Sequence, residues 1–133
     1  MNQTRVLHGH LKRLFLPQAL QGIVSELISQ LCRRLERQIT QKGKVSLFGG
    51  LQIDQDVRTL MTFFTTITDI PVRQKFQRLS QMATLLSLEQ VAELRDFFSQ
   101  QKWHLSHHEI RTVLGLRFSK DQIETDVGYL IMR

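Results

Sequence analysis

The chain has 133 residues, 41% apolar and 23% charged. This composition is typical of a soluble globular domain and excludes a disordered chain. The formal net charge of +6 suggests nucleic acid, yet residues 51–133 hold ten basic and ten acidic side chains, so the whole surplus lies in residues 1–50. Cys32 is the single cysteine, which excludes a disulfide within the chain, and no apolar run approaches the roughly 20 residues of a membrane-spanning helix.

The first predicted element is a long helix. Residues 1–15 are polar and basic, and we interpret them as a loose lead-in. From Pro17 to Gln41, apolar residues recur every three or four positions, which predicts one amphipathic helix. We assign residues 16–48 to this helix, as part of a preceding helical subdomain, and residues 49–133 to a C-terminal module of short capped helices.

The stretch Lys42–Gln52 is predicted to connect these two parts, because three of the seven glycines lie in it. Asp54 is then expected to cap the next helix, which follows an apolar stripe through Thr68. This segment also holds five threonines, which are poor helix formers. A strand therefore stays open as the alternative.

The second half is predicted to contain short helices in series. The turn Thr68–Pro71 interrupts the chain, and a helix is predicted over residues 72–86. Three further helices are predicted to begin at Ser87, Ser106 and Ser119. Each serine is followed three positions later by Gln or Glu, the capping-box pattern that satisfies two otherwise unpaired backbone N–H groups. The sequence thus predicts an all-α fold, a series of amphipathic helices forming a bundle or rod.

No pattern in the chain predicts catalysis. His104 and His108 have the spacing of a helical zinc pair, but a helix is predicted to begin between them, so their rings are not expected to share a face. Cys32 is interpreted as a small buried residue, since no neighbouring motif would orient it as a nucleophile. We predict no catalytic residue, no metal site, no cofactor and no small-molecule substrate.

A nucleic-acid-binding function stays open as the alternative. Leu105–Arg117 has the form of a capped helix after a turn, which is half of a helix-turn-helix. A small basic helical protein of this kind would use Arg111, Arg117 and residues 1–44. The local charge is balanced and aromatic residues are not interleaved with it, so the pattern favours contacts with proteins.

One stretch is more specific than a generic amphipathic helix. Val72–Glu89 reads VRQKFQRLSQMATLLSLE and resembles a motif near the C-terminus of the family of subunit four of the conserved oligomeric Golgi (COG) complex. The residues that carry the resemblance are Lys75, Phe76, Arg78, Leu79, Ser80, Gln81, Met82, Ala83, Thr84, Leu86, Leu88 and Glu89. The resemblance covers roughly residues 48–123. Residues 16–47 fit more loosely, and residues 124–133 depart from the ending of the family.

The resemblance implies the C-terminal part of an α-helical subunit of the kind shared by multisubunit (CATCHR-type) tethering complexes. It implies a non-enzymatic role in intra-Golgi retrograde transport, at the cytosolic face of the Golgi membrane, with only indirect membrane contact. The implied partners are the other subunits of the tethering complex and SNARE fusion proteins, with no nucleic acid among them.

The motif also suggests one interacting pair. Arg78 lies between the apolar positions of Phe76 and Leu79, so its stem is expected to be covered while its guanidinium finds an acceptor. Glu109 is the candidate acceptor, and in the family the Arg78 position lies near the junction of the last two helical subdomains. We expect the pair to fix the angle between them. The alternative is that Arg78 is a solvated charge and Glu109 only a helix cap.

Overall fold

The computed structural model describes residues 17–132, and the expected lead-in of residues 1–15 lies outside this range. The described residues form seven α-helices, one 3₁₀ turn and no strand, which confirms the all-α prediction. The helices are α1 (Gln18–Thr40), α2 (Leu47–Ile67), α3 (Val72–Lys75), α4 (Gln77–Leu86), α5 (Leu94–Phe98), α6 (His107–Leu114) and α7 (Lys120–Val127), with the 3₁₀ turn at Val91–Glu93 before α5. None of them is long and apolar enough to cross a membrane.

The predicted apolar stripe from Pro17 to Gln41 agrees with α1 to within one residue at each end, whereas the assigned range 16–48 extends past Thr40 into the start of α2. Pro17 occupies the N-cap position, where its missing N–H costs no hydrogen bond. One side of α1 buries Ile28, Cys32 and Ile39 against the rest of the chain. The periodicity of apolar residues therefore identified the helix and part of its packed side.

The predicted connector Lys42–Gln52 is wrong over its second half. Ser46 is the N-cap of α2, its hydroxyl accepting the Gly49 N–H at 3.0 Å, so Gly49 and Gly50 lie inside a helix while Gly43 lies in the connector. Asp54 is not a cap but a helical residue bonded to Arg58, at 3.0 Å. The predicted boundary between residues 48 and 49 consequently falls within α2.

Gly50 explains why this stretch is rich in glycine. A Cβ atom at this position would lie 1.9 Å from the carbonyl oxygen of Leu86 and 2.6 Å from its carbonyl carbon. Glycine is needed here so that α2 can approach the backbone at the end of α4, not because the chain turns. The glycine at position 50, which favoured a loop in the sequence, is thus required by the close packing of α2 on α4.

The helix predicted over residues 72–86 is two helices that meet at Phe76. This residue has φ −96° and ψ 1°, outside the helical region, and its ring is fully buried. Its N–H donates to the carbonyls of Val72 and Arg73 at 3.1 and 3.2 Å, so the break leaves this donor satisfied. We attribute the interruption to the packing of the Phe76 ring.

Two of the three capping boxes are confirmed, at Ser106 and Ser119. Ser87 instead ends α4, where its N–H donates to the carbonyls of Ala83 and Thr84. The next helical turn is shorter and starts later, with the Gln90 N–H bonded to the Glu93 carboxylate at 2.6 Å. The Ser-x-x-Gln pattern therefore did not predict a helix start correctly at Ser87, because this serine already caps the C-terminus of α4.

The buried apolar side chains of the described residues form one cluster that joins α1, α2, α4, α6 and α7. The final helix belongs to it, since Ile123, Val127 and Ile131 are all buried. Residues near the C-terminus thus pack into the same core as the long first helix.

Candidate functional site

The motif that carries the resemblance forms the centre of the molecule. Its apolar members, Phe76, Leu79, Met82 and Ala83, are each no more than 3% exposed. Burying side chains of this size contributes roughly 1.5–3 kcal/mol for each of the larger ones. The apolar half of the motif is therefore core and is unavailable to a partner.

The polar members of the motif bind neighbouring parts of the same chain. Lys75 Nζ donates to Ser29 Oγ of α1 at 3.0 Å. Gln81 donates to the Lys102 carbonyl and accepts the His104 N–H, both at 2.8 Å. These bonds tie α3 to α1, and α4 to the segment that precedes α6.

The hydroxyls of the motif make local contacts. Ser80 Oγ lies 3.6 Å from the sulfur of Met61 on α2. Thr84 Oγ1 donates to the carbonyl of Ser80 at 3.0 Å, one turn earlier in the same helix. Both bonds occupy the polar atoms that face α2.

Arg78 connects three elements at once. Its guanidinium donates to both carboxylate oxygens of Glu109 on α6, one of them at 3.2 Å. It also donates to Glu36 of α1 at 3.1 and 3.3 Å and to the His104 carbonyl at 2.9 Å. We name this set the α4 junction: Arg78, Glu109, Glu36 and the His104 carbonyl.

The electrostatics of the α4 junction follow from these bonds. Hydrogen bonds from Arg78 hold the pKa of Glu109 down at about 2, and the Ser106 N–H, bonded to the same carboxylate at 2.8 Å, acts in the same direction. The same bonds to Glu109 and Glu36 raise the pKa of Arg78. Both partners remain charged at neutral pH, so the junction is an ion-pair network with no free acid or base.

The sequence had placed only Arg78 and Glu109 in this arrangement, and it missed Glu36 and the His104 carbonyl. Glu36 lies 42 residues before Arg78, so no local spacing connects them. One signal was nevertheless present: Glu36 is one of two acidic residues among the eight basic residues of positions 1–50. A carboxylate in such a basic stretch is a candidate for a structural ion pair.

Within the described part of the chain, the histidines and Cys32 are not assembled into a metal-binding group. His104 uses its backbone in the α4 junction, and the ring of His107 contacts the Met132 carbonyl. Between residues 17 and 132, no group of three or more His, Cys, Asp or Glu side chains is arranged to hold a metal ion. Cys32 is buried, and desolvation raises the pKa of its thiol to about 11, which keeps it protonated at neutral pH.

The two arginines of the nucleic-acid alternative are bound within the chain. Arg111 contacts Glu124 and donates to the Ile131 carbonyl at 3.1 Å. Arg117 donates to the carbonyls of Leu86 and Leu88 at the end of α4, and burial lowers its pKa. Both guanidinium groups are thus used to hold the C-terminal residues on the core.

Fold and junction together define a class of protein. It is an all-helical module whose most distinctive residues serve internal contacts, and in its described part the ionisable groups at the centre are paired with one another. Such an arrangement suits a structural component better than a catalyst.

Comparison with known proteins specifies the family. The family model for the conserved oligomeric Golgi complex subunit 4, C-terminal, matches residues 1–112. The subunit 4 protein of Arabidopsis thaliana is 45% identical to this chain over 95 residues, which is 68% of this chain and 13% of the relative. That of Homo sapiens is 39% identical over 103 residues, which is 74% of this chain and 13% of the relative. That of Drosophila melanogaster is 38% identical over 107 residues, 76% of this chain and 14% of the relative. The chain belongs to the COG subunit 4 family.

The extent of the family match corrects the extent of the sequence resemblance. The resemblance was placed at roughly residues 48–123, whereas the family model begins at residue 1 and ends at residue 112. Residues 1–47 therefore lie inside the family region. Residues 113–133 lie beyond it, although the structure packs Ile123, Val127 and Ile131 into the common core.

Proposed function

We propose that this chain acts as a C-terminal module of a subunit of the Golgi vesicle-tethering complex, in intra-Golgi retrograde transport, through contacts with proteins and without catalysis. The observation that carries the proposal is the family match over residues 1–112. The paired charges of the α4 junction support it, because they leave no free acid, base or nucleophile at the centre of the described residues.

The partners in this proposal are other subunits of the same complex and SNARE fusion proteins. The place is the cytosolic face of the Golgi membrane, where the chain would be held peripherally by its partners. Nucleic acid is not a partner in this proposal, and the engagement of Arg111 and Arg117 inside the chain supports that choice.

Within this function, the α4 junction is proposed to set the angle between the helices that it joins. Arg78 on α4 bonds Glu36 of α1 and Glu109 of α6 at the same time, so its guanidinium restricts the angles between all three helices. A tethering subunit that presents surfaces to several partners needs fixed helix directions, and the junction provides a reason for them.

The experiment is co-immunoprecipitation and imaging of the tagged chain in a human cell line. Wild-type chain should recover other subunits of the COG complex and overlap with a Golgi marker. The variant Gly50→Ala, whose added Cβ overlaps the Leu86 backbone, is the control for recovery by an unfolded chain. Recovery of no COG subunit by a chain shown to be folded by circular dichroism would refute the proposal.

A further inference from the structure

The outward side of α1 carries three cations, of which two have no counter-charge in the described structure. Arg33, Arg34 and Arg37 are all exposed. Arg33 has a weak contact with Glu26 at 3.4 Å, both side chains being about 60% exposed. The guanidinium groups of Arg34 and Arg37 have no hydrogen bond or ion pair among residues 17–132.

The nearest acidic residue on the same helix is unavailable to them. Glu36 follows Arg34 by two positions, but its carboxylate is bonded to Arg78 in the α4 junction. Three like charges within about one helical turn repel one another. An external acidic group would relieve this repulsion, so the surface is electrostatically complementary to an anionic partner.

Exposed apolar residues continue the same side of the helix. Leu20, Ile23 and Leu27 are 41%, 58% and 57% exposed and lie three or four positions apart. Continuing this spacing by seven residues from Leu27 leads to Arg34, so the apolar residues and Arg34 form one stripe along α1, and Arg33 and Arg37 lie beside its cationic end. An apolar stripe that ends in cations fits a partner helix that is apolar at one end and acidic at the other.

The shape of the surface favours a protein segment over a membrane. Leu27 and Leu31 line a groove of about 570 Å³ on this side of α1, together with Arg33, Arg34 and Arg37. A flat layer of lipid headgroups contacts the rims of a groove, whereas side chains of a peptide enter it. The groove therefore adds contacts that only a protein segment can use.

We propose that an acidic amphipathic helix of a partner protein docks along the outward side of α1. Its carboxylates bind Arg33, Arg34 and Arg37, and its apolar residues cover Leu20, Ile23 and Leu27. This inference rests on the proposed function, because it assigns a chemistry to one of the protein partners, and it names the surface that this partner contacts.

The test uses a synthetic 18-residue helix as the probe, with leucines at helical spacing and glutamates in its C-terminal half. Binding of the labelled probe to the full 133-residue chain is measured by fluorescence anisotropy at two salt concentrations. We expect binding that weakens with salt and falls by about tenfold in Arg33→Gln/Arg34→Gln/Arg37→Gln, since each exposed ion pair contributes modestly. Ile23→Ser/Leu27→Ser should weaken it as well.

The controls separate charge at this surface from charge in general. The variant Arg58→Gln/Arg73→Gln/Lys102→Gln removes three exposed cations elsewhere and should bind the probe as the wild type does. A second probe has glutamine in place of every glutamate. Its affinity for the wild type should be no higher than the affinity of the acidic probe for the α1 variant, Arg33→Gln/Arg34→Gln/Arg37→Gln.

Three results would overturn the proposal. One is equal binding of the acidic probe to the wild type and the α1 variant. The others are binding of vesicles rich in phosphatidylserine, or of a single-stranded RNA, that depends on the same arginines and exceeds binding of the peptide. Recovery of COG subunits is measured in parallel. If the peptide binds as expected while no subunit is recovered, the proposed function fails and the docking surface stands.

Discussion

The motif segment, residues 75–84, and the outward side of α1 are both marked by cations, but the two regions use them in opposite ways. In the motif segment, Lys75 and Arg78 find acceptors on other helices of the same chain. On α1, Arg34 and Arg37 find none among the described residues. The most recognisable sequence of the molecule is therefore devoted to internal cohesion, and the charges left for a partner lie where the sequence is less distinctive.

The largest expected effect tests the cohesion of the motif region. Gly50→Ala should destabilise the chain by about 3 kcal/mol or more, because the new Cβ meets the backbone of Leu86, which cannot yield as a side chain can. Urea unfolding followed by circular dichroism measures the change. Gly22→Ala on α1 is the control: its Cβ meets nothing within 4 Å, so a gain of about 0.5–1 kcal/mol is expected. Equal effects at both glycines would remove the distinction between the regions.

A second change extends the comparison to residues beyond the family match. Ile131 is fully buried, so Ile131→Ala should lower the free energy of unfolding by about 2–4 kcal/mol. Met132→Ala, at a position 61% exposed, should change it by less than about 0.5 kcal/mol. If Ile131→Ala changes the free energy of unfolding as little as Met132→Ala does, the C-terminal residues do not belong to the core in solution.

The third change removes the centre of the α4 junction. Arg78→Ala should cost about 1–2 kcal/mol, less than the loss of a fully buried partner, because the Arg78 side chain is 40% exposed. Arg58→Ala breaks an exposed pair with Asp54 and should cost no more than about 0.5 kcal/mol. Double-mutant cycles with Glu36→Gln and Glu109→Gln apportion the coupling. Coupling near zero in both cycles would mean that the junction does not hold the helices.

The same pair predicts a response to acid. The pKa of Glu109 is about 2 in the folded chain and near 4.5 without its partners, so the unfolded chain takes up the proton first as the pH falls. The contribution of Glu109 is complete above about pH 5 and is lost between about pH 5 and pH 2. Unfolding measured across this window should show a shallower loss for Arg78→Ala than for the wild type. Parallel curves for the two proteins would contradict the assignment.

The smallest expected effect lies on the outward side of α1. Arg33→Gln/Arg34→Gln/Arg37→Gln should change the free energy of unfolding by less than about 0.5 kcal/mol, since the guanidinium groups of Arg34 and Arg37 bond nothing in the described structure and Arg33 has only its exposed contact with Glu26. Thermal unfolding of this variant beside the wild type measures it. A loss comparable with that of Arg78→Ala would show that the arginines serve the fold, and the contrast between the two regions would disappear.

Periodic and capping patterns predicted most of the fold. The α1 helix and the Ser106 and Ser119 capping boxes follow from residues within one or two turns of each other, where local physics decides. The errors at Gly50, Phe76 and Ser87 have another origin. In each case a distant or preceding element decided the conformation: the Leu86 backbone, the core around the Phe76 ring, and the end of α4.

The residues of the candidate site likewise divide into those that the sequence predicted and those that depend on a distant element. Arg78 and Glu109 were suggested by a resemblance that included the region where they meet, and the hydrogen bonds between them are present in the structure. Glu36 comes from another helix at a separation of 42 residues, which no spacing rule reaches. The outward arginines of α1 belong to the basic surplus of residues 1–50. Only the structure shows which of their possible counter-charges is already taken.

Cys32 makes the opening of α1 measurable by chemical labelling. It is the single cysteine, it faces the core, and burial keeps its thiol protonated and slow to react. A pulse of alkylating reagent will therefore modify the chain only in molecules whose first helix has lifted from the others. The rate of that labelling, read by mass spectrometry with no engineered residue, reports how readily α1 opens, with a partner bound or absent.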